Sequence, residues 1–278
     1  MILYKYLQPA RANDILKHRR VRFTQPGDLN DPFEFRPKIR EVASDANVQS
    51  YVEKNFDKLV DEELSKYGAL GQFLPQADLR GLIGEQKAIL PVLFRLLEPA
   101  AIQKLAPIID GILNLNVGIL CLSEVRDSLL MWGHYTDNHQ GFVVGFDSDH
   151  PFFLKRRTDK DEFGFLRRVD YTSQRPQVTL SDTESQVWFS TKSQQWSYEK
   201  EWRIVRVLSE AEHQIDRSPF PICLFEFPPD AVREIIVGMR SSPFLVADIR
   251  ALARSFPRAE VLLASEGSEY GLLVTEMA

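Results

Sequence analysis

Cysteine is scarce in this chain: Cys121 and Cys223 are the two in 278 residues. Each lies inside an apolar run, Gly118-Ile119-Leu120-Cys121-Leu122 and Ile222-Cys223-Leu224-Phe225. Both read as buried thiols of a reducing compartment, and they leave no zinc motif. Neither H-E-x-x-H nor another standard ligand spacing occurs, so no metal is expected. Uncharged apolar runs long enough to span a bilayer are missing. The start, Met1-Ile2-Leu3-Tyr4-Lys5-Tyr6, lacks the apolar stretch and small-residue cleavage site of a signal peptide. A cytoplasmic protein with no membrane partner is the expectation. Internal repeats and Gly- or Ser-rich linkers are also lacking, which favours one domain, 1–278, over two.

Excess positive charge is lacking too. The formal net charge is -5, which argues against general attraction to nucleic-acid phosphate. Lys17-His18-Arg19-Arg20 and Lys155-Arg156-Arg157 are local basic patches, read as solvated faces with nucleic-acid contact as the alternative. With 44% hydrophobic and 26% charged residues, the composition is that of a soluble globular protein rather than a disordered one.

Residues 2–7 alternate as a first strand, and a short amphipathic helix carrying Ile15 and Leu16 follows, with Asn13 or Asp14 as its capping residue. Val21-Arg22-Phe23-Thr24 forms a second strand, and Asn30-Asp31-Pro32-Phe33-Glu34 a rigid polar loop. From about 44 to 115 the periodicity becomes helical, as in Val52, Phe56, Leu59, Val60 and Leu64. Pro75, Pro91, Pro99 and Pro107 mark helix starts or kinks there. Strands return at Val117–Ser123, Gly141–Phe146, Arg168–Tyr171, Trp202–Leu208, Ile222–Phe227, Glu234–Val237, Glu260–Ala264 and Gly271–Glu276. Helices are expected at Ser128–Tyr135 and Phe244–Ser255. The reading is an α+β domain with a helical insertion that serves as a lid or partner surface.

Two segments are unusually rich in mixed aromatic and polar residues. In Trp196-Ser197-Tyr198-Glu199-Lys200-Glu201-Trp202-Arg203, a strand beginning near Lys200 puts Glu201, Arg203 and Val205 on one face and Trp202 and Ile204 on the other. One reading is a salt-bridged strand start. The other is catalytic: a carboxylate oriented by arginine stabilises positive charge, as in the oxocarbenium-like state through which glycosidic bonds break, and Glu-x-Glu spacing supplies two. In Met131-Trp132-Gly133-His134-Tyr135-Thr136-Asp137-Asn138-His139-Gln140-Gly141-Phe142, His134 and Asp137 are neighbours if both are helical. Trp132 and Tyr135 pack against a planar ligand or the core, and His134 or His139 donates a hydrogen bond. Tyr4 and Tyr6 share one face of the first strand, leaving Lys5 for the other.

Leu3-Tyr4-Lys5-Tyr6, Asn30-Asp31-Pro32-Phe33-Glu34, Cys121-Leu122-Ser123, Met131-Trp132-Gly133-His134-Tyr135, His139-Gln140-Gly141 and Trp196–Arg203 together resemble a large bacterial family described only as a domain of unknown function. The layout also resembles, distantly, the ADP-ribosyltransferase fold. That likeness implies a split antiparallel β-sheet core and NAD as substrate. It further implies an early strand at Leu3–Tyr6 for nicotinamide, a second at Arg22–Thr24 for ribose, and a late strand beginning at Glu199 or Glu201.

The leading expectation is therefore an ADP-ribosyltransferase-like enzyme, a toxin or antiphage effector acting on a protein or nucleic-acid acceptor. Glu201, Glu199 and Arg203 are its catalytic candidates, and Tyr4, Lys5, Tyr6, Thr24, Asn30, Asp31, Trp132, His134 and Tyr135 line its nucleotide pocket. The alternatives are a noncatalytic sensor holding a nucleotide or phage component, and a hydrolase or nuclease using Asp31, His134 and Glu201.

Overall fold

Short alternating segments give way to continuous apolar ones where a strand is covered on both faces. Phe142-Val143-Val144-Gly145-Phe146 and Ile235-Ile236-Val237 are of the second kind, and they form the centre of the largest sheet. A computed structural model describes residues 1–66, 80, 81, 83–159, 161–181 and 185–277. Its strands are β1 (Ile2–Leu7), β2 (Arg20–Phe23), β3 (Lys38–Glu41), β4 (Val117–Ser123), β5 (Phe142–Asp147), β6 (Arg167–Arg168), β7 (Asp170–Thr172), β8 (Gln177–Thr179), β9 (Thr191–Ser193), β10 (Glu201–Val207), β11 (His213–Ile215), β12 (Ile222–Glu226), β13 (Val232–Val237), β14 (Glu260–Glu266) and β15 (Leu272–Glu276).

An eight-stranded sheet runs in the order β15-β14-β13-β5-β1-β4-β10-β6. It is antiparallel except at β13–β14. Those two strands are parallel because helix Pro243–Ala253 carries the chain back between them, and parallel neighbours need such a crossover. Ser242 caps this helix by accepting from Leu245 N at 3.2 Å, and Pro243 sits at its start, where a missing N–H costs nothing. A three-stranded sheet, β11-β12-β2, and a parallel pair, β7-β9, complete the same compact unit.

The large sheet buries a core on each face. Leu3, Leu7, Val144, Phe146, Ile235 and Val237 pack with Phe23, Phe225 and the helix residues Leu245 and Ile249. Tyr4, Tyr6, Val143 and Ile236 pack on the opposite face with Met131 and Trp132 of helix Leu129–Tyr135. Period two along β1 therefore separates its tyrosines from Leu3 and Leu7.

Pairing is uneven in one place. β1 follows β5 from Ile2↔Asp147 to Leu7↔Phe142, and β10 follows β4 from Glu201↔Ser123 to Val207↔Val117. Between β1 and β4 only Tyr4↔Ser123 is aligned. Beyond that point the strands separate, and Thr24 takes over the edge of β4 through reciprocal 2.8 Å hydrogen bonds with Ile119. The sheet is thus split.

The second compact unit comprises Pro37–Asp110 and Pro176–Glu184. It starts before the expected insertion at 44 and takes in a second excursion, because β3 and β8 pair in parallel. Helix Asp45–Lys66 belongs to it, and Arg95 bridges Asp45 and Glu98. Pro91 does lie at the beginning of helix Leu90–Asn116, but Pro99 and Pro107 are inside it, and Pro75 falls outside the described residues. Each interior proline removes one donor, while the flanking apolar residues continue the helix on either side.

Two further expectations change. Asn13 and Asp14 do not cap the first helical segment, since it starts at Pro9 after the extended Gln8 and the turn Pro9–Arg11 runs through a helical Ala12 into the π-turn Asn13–Lys17. Arg168–Tyr171 is not one strand either: β6 joins β10 and β7 joins β9.

Glycine positions give a test of these close approaches. A Cβ on Gly141 would lie 2.0 Å from Leu7 O, whereas one on helical Gly111 meets nothing within 4 Å. Gly141→Ala is expected to destabilise by about 2 kcal/mol or more, and Gly111→Ala to stabilise by about 0.5–1 kcal/mol. Urea midpoints of the two variants should move in opposite directions.

Candidate functional site

The split between β1 and β4 opens a cleft of about 250 Å³. Lys5 and Tyr6 line it from β1, Cys121 and Ser123 from β4, and Lys192, Glu199 and Glu201 from β9 and the segment entering β10. Lys5 Nζ donates to Cys121 O at 3.1 Å, across the opening between the separated strands.

Five buried charges converge at one end. Lys192 Nζ lies 2.8 Å from Glu34 Oε1, 2.6 Å from Glu199 Oε2 and 2.9 Å from Glu201 Oε2. Arg203 grips Glu201 with a fork, Nε to Oε1 at 2.7 Å and Nη2 to Oε2 at 3.1 Å, and its Nη2 also lies 3.0 Å from Glu34 Oε2. Buried charges persist only when paired this closely. Three carboxylates against two cations leave one surplus negative charge.

That surplus is unevenly distributed. Burial pushes Glu201 up, but Arg203 and Lys192 prevail and hold it well below the ordinary carboxylate range. Burial outweighs the same cations at Glu34 and the Lys192 ammonium at Glu199, so both carboxyls are raised. Burial would weaken the charge on Lys192, yet Glu201, Glu34 and Glu199 together keep it protonated.

Local geometry explains how Glu199 and Glu201 meet. Residues Gln194–Glu199 form a 3-10 turn capped by Ser193, and Lys200 closes it at φ 44, ψ 54 before β10 begins. Glu199 is therefore not on the strand. Its backbone carbonyl accepts from Ser123 Oγ at 2.5 Å, and the Glu201 amide donates to Tyr171 OH at 2.8 Å, fixing both residues.

From the opposite wall Tyr135 OH donates to Glu199 Oε1 at 2.5 Å and accepts from Asn30 Nδ2 at 2.9 Å. Burial and the Glu199 charge push this phenol's pKa up, so it stays a donor. Ser128 caps helix Leu129–Tyr135. The helix stops there, and Asp137, Asn138 and His139 adopt φ values of 52, 54 and 69. Asp137 is thus not a helical neighbour of His134, because the chain reverses to bring Gly141 against Leu7.

The sequence candidates divide accordingly. Lys5, Tyr6, Thr24, Asn30, Tyr135, Glu199 and Glu201 line the cleft, and Arg203 lies behind Glu201. Trp132 is wholly buried, donating to Arg126 O at 2.8 Å and packing edge-on against Tyr6. Tyr4 lies in the same core. Asp31 accepts from the Phe33 amide at 2.9 Å within its own loop, while exposed His134 lines a neighbouring cavity, so the two do not join Glu201 in one cluster. The strand between β1 and β10 is β4, whereas Arg22–Phe23 belong to β2, which pairs with β12.

Lys192 and Glu34 were missed as site residues. Glu34 stands in a motif read as a turn, and Lys192 sits in the three-residue β9, where nothing local marks a lysine as buried. The charges of Glu199-Lys200-Glu201-Trp202-Arg203 balance by themselves, so the segment gave no signal for a further cation, and only the burial of Glu199 and Glu201 in the fold reveals it.

Glu201→Gln would strand Arg203 and Lys192 and is expected to cost about 3–5 kcal/mol at neutral pH. Because Glu201 is depressed below its ordinary value of 4.5, its contribution is present above that pH and is lost as pH falls toward its folded pKa. Thermal unfolding of wild type and variant should therefore converge progressively below pH 4.5.

Neither the curated proteins nor the solved structures contain a match to this chain. Residues 131–204, which hold Tyr135, Lys192, Glu199, Glu201 and Arg203, match the model of a family described as Protein of unknown function (DUF2971), the uncharacterised kind of family that the motifs resemble.

Proposed function

We propose that the protein is an ADP-ribosyltransferase-like enzyme that takes NAD as substrate and breaks the bond between nicotinamide and ribose in this cleft. The observation that carries the reading is the common cleft of β1 and Glu199-x-Glu201, in which the two carboxylates are pushed in opposite directions. Such a division assigns one group to fixed charge and the other to proton handling. The register row Tyr4, Ser123, Glu201 adds support by aligning the early strand with the start of the late one.

In this reading Glu201, held by Arg203, supplies the negative charge that stabilises the ribosyl oxocarbenium ion. The electron pair of the breaking C–N bond passes to the nicotinamide nitrogen and neutralises the ring. An acceptor then forms the new bond to the ribose carbon and gives its proton to ionised Glu199, which Tyr135 and Lys192 orient. Tyr6 flanks the nicotinamide. Transfer to a protein or nucleic acid is chemistry suited to a toxin or antiphage effector.

One feature favours the second reading, a noncatalytic nucleotide sensor: Lys192 contacts both Glu199 and Glu201, so an ammonium already occupies the place beside them that a cationic transition state would need. Turnover separates the two. Calorimetric titration with NAD should show binding, and a nicotinamide-release assay should show turnover that rises with pH as raised Glu199 ionises. Glu199→Gln, checked for an unchanged fold, should slow release by about 10²-fold or more. NAD binding without any release by the wild type would favour the sensor, and neither binding nor release would sink both.

Tyr135→Phe retains the ring but removes the hydroxyl from Glu199. Release should fall by about tenfold, a loss of about 1.4 kcal/mol in transition-state stabilisation. Steady-state kinetics that left the rate and its pH profile unchanged would remove Tyr135 from the mechanism.

A further inference from the structure

Beside the acidic cleft lies a second cavity of about 350 Å³ with the opposite electrostatic character. Lys5, Arg11, Arg20 and Arg22 line it, against Asp14 and Asp28. Glu226, 3.5 Å from Arg20 Nε, and Arg217, bonded to Asp28, offset each other. Two positive charges remain in a chain whose formal net charge is -5. The cavities share Lys5, Tyr6, Arg22, Thr24, Asp28 and Tyr135, so they adjoin along one wall.

Several of the cationic donors are unspent. Arg22 directs Nη2 to Asp28 and Gln25, while its Nε is buried without a hydrogen-bond partner. Arg20 Nε is also buried without a hydrogen bond, although it forms an ion pair with Glu226 at 3.5 Å. Lys5 donates to the Cys121 carbonyl and has no carboxylate partner among the described residues. Buried donors without partners are costly.

We infer that this cavity binds the phosphate portion of a phosphorylated sugar or nucleotide. A phosphate or pyrophosphate presents several anionic oxygens, enough for an ammonium and two guanidinium groups together, whereas one carboxylate satisfies a single fork. The adjoining acidic end repels a second anion but suits hydroxyl groups or a cationic ring at Tyr135 and Glu199. The ligand is therefore polar in one direction, with its phosphate toward Lys5 and Arg22 and its sugar toward Tyr135. This assignment does not depend on glycosidic cleavage.

Calorimetric titration of the full chain with inorganic pyrophosphate, ADP and adenosine tests it. Pyrophosphate and ADP should bind, adenosine at least about tenfold more weakly than ADP, and ADP affinity should fall as salt rises. Lys5→Gln should weaken ADP by about tenfold or more, and Lys5→Arg should retain binding, with thermal unfolding of both close to wild type. Pyrophosphate tighter than ADP would identify a site for free inorganic anions, and ADP tighter than pyrophosphate a nucleotide site. Equal affinity for ADP and adenosine, or no binding of either phosphate compound, would overturn the proposal even if NAD turnover were found. If ADP binds but nicotinamide is never released, the transferase reading fails and this one stands.

Discussion

The geometry of the site depends on one arrangement of charge, the Lys192 ammonium at the meeting point of three carboxylates with Arg203 behind two of them. None of the five groups could be buried alone at tolerable cost. Together they tie the loop after β2, the strand β9, the 3-10 turn and β10 into one body. A single surplus negative charge remains, and its position among Glu34 and Glu199 gives the cluster chemical versatility that a neutral network would lack.

The sheet makes room for this cluster by an interruption in its hydrogen bonding. An antiparallel ladder that continued between β1 and β4 would close the space now bordered by Lys5 and Cys121. Thr24 satisfies the exposed edge of β4 at Ile119, so the opening does not leave that backbone unpaired. The same wedge brings Arg22 close to β1, and acidic and basic walls thereby become neighbours although they arise from distant stretches of chain.

Much of the scaffold was legible because its signals are local. Period-two alternation located β1, apolar runs located β4 and β10, the expected helix Ser128–Tyr135 lay where α-helix Leu129–Tyr135 forms, and the helical periodicity of 44–115 marked most of the second unit. The pairing of Glu201 with Arg203 also followed from their spacing. What escaped were features decided by distant partners. The short β3 and β8 exist through each other, and Lys192 is buried because three carboxylates reach it. Trp132 and Tyr135 stand three residues apart in one motif, yet one fills the core and the other faces the cleft, a distinction set by the direction of helix Leu129–Tyr135 against β1.

Lys200 carries a different kind of consequence. Its left-handed backbone converts the end of a 3-10 turn into the first residue of a strand, so the carboxylates on either side converge although they do not share a regular element. The meeting is encoded by chain length and handedness more than by the side chain between them. One would thus expect natural variation at position 200 to explore identity, favouring glycine, asparagine or aspartate, which tolerate this conformation, while an insertion or deletion there would dissolve the carboxylate pair outright.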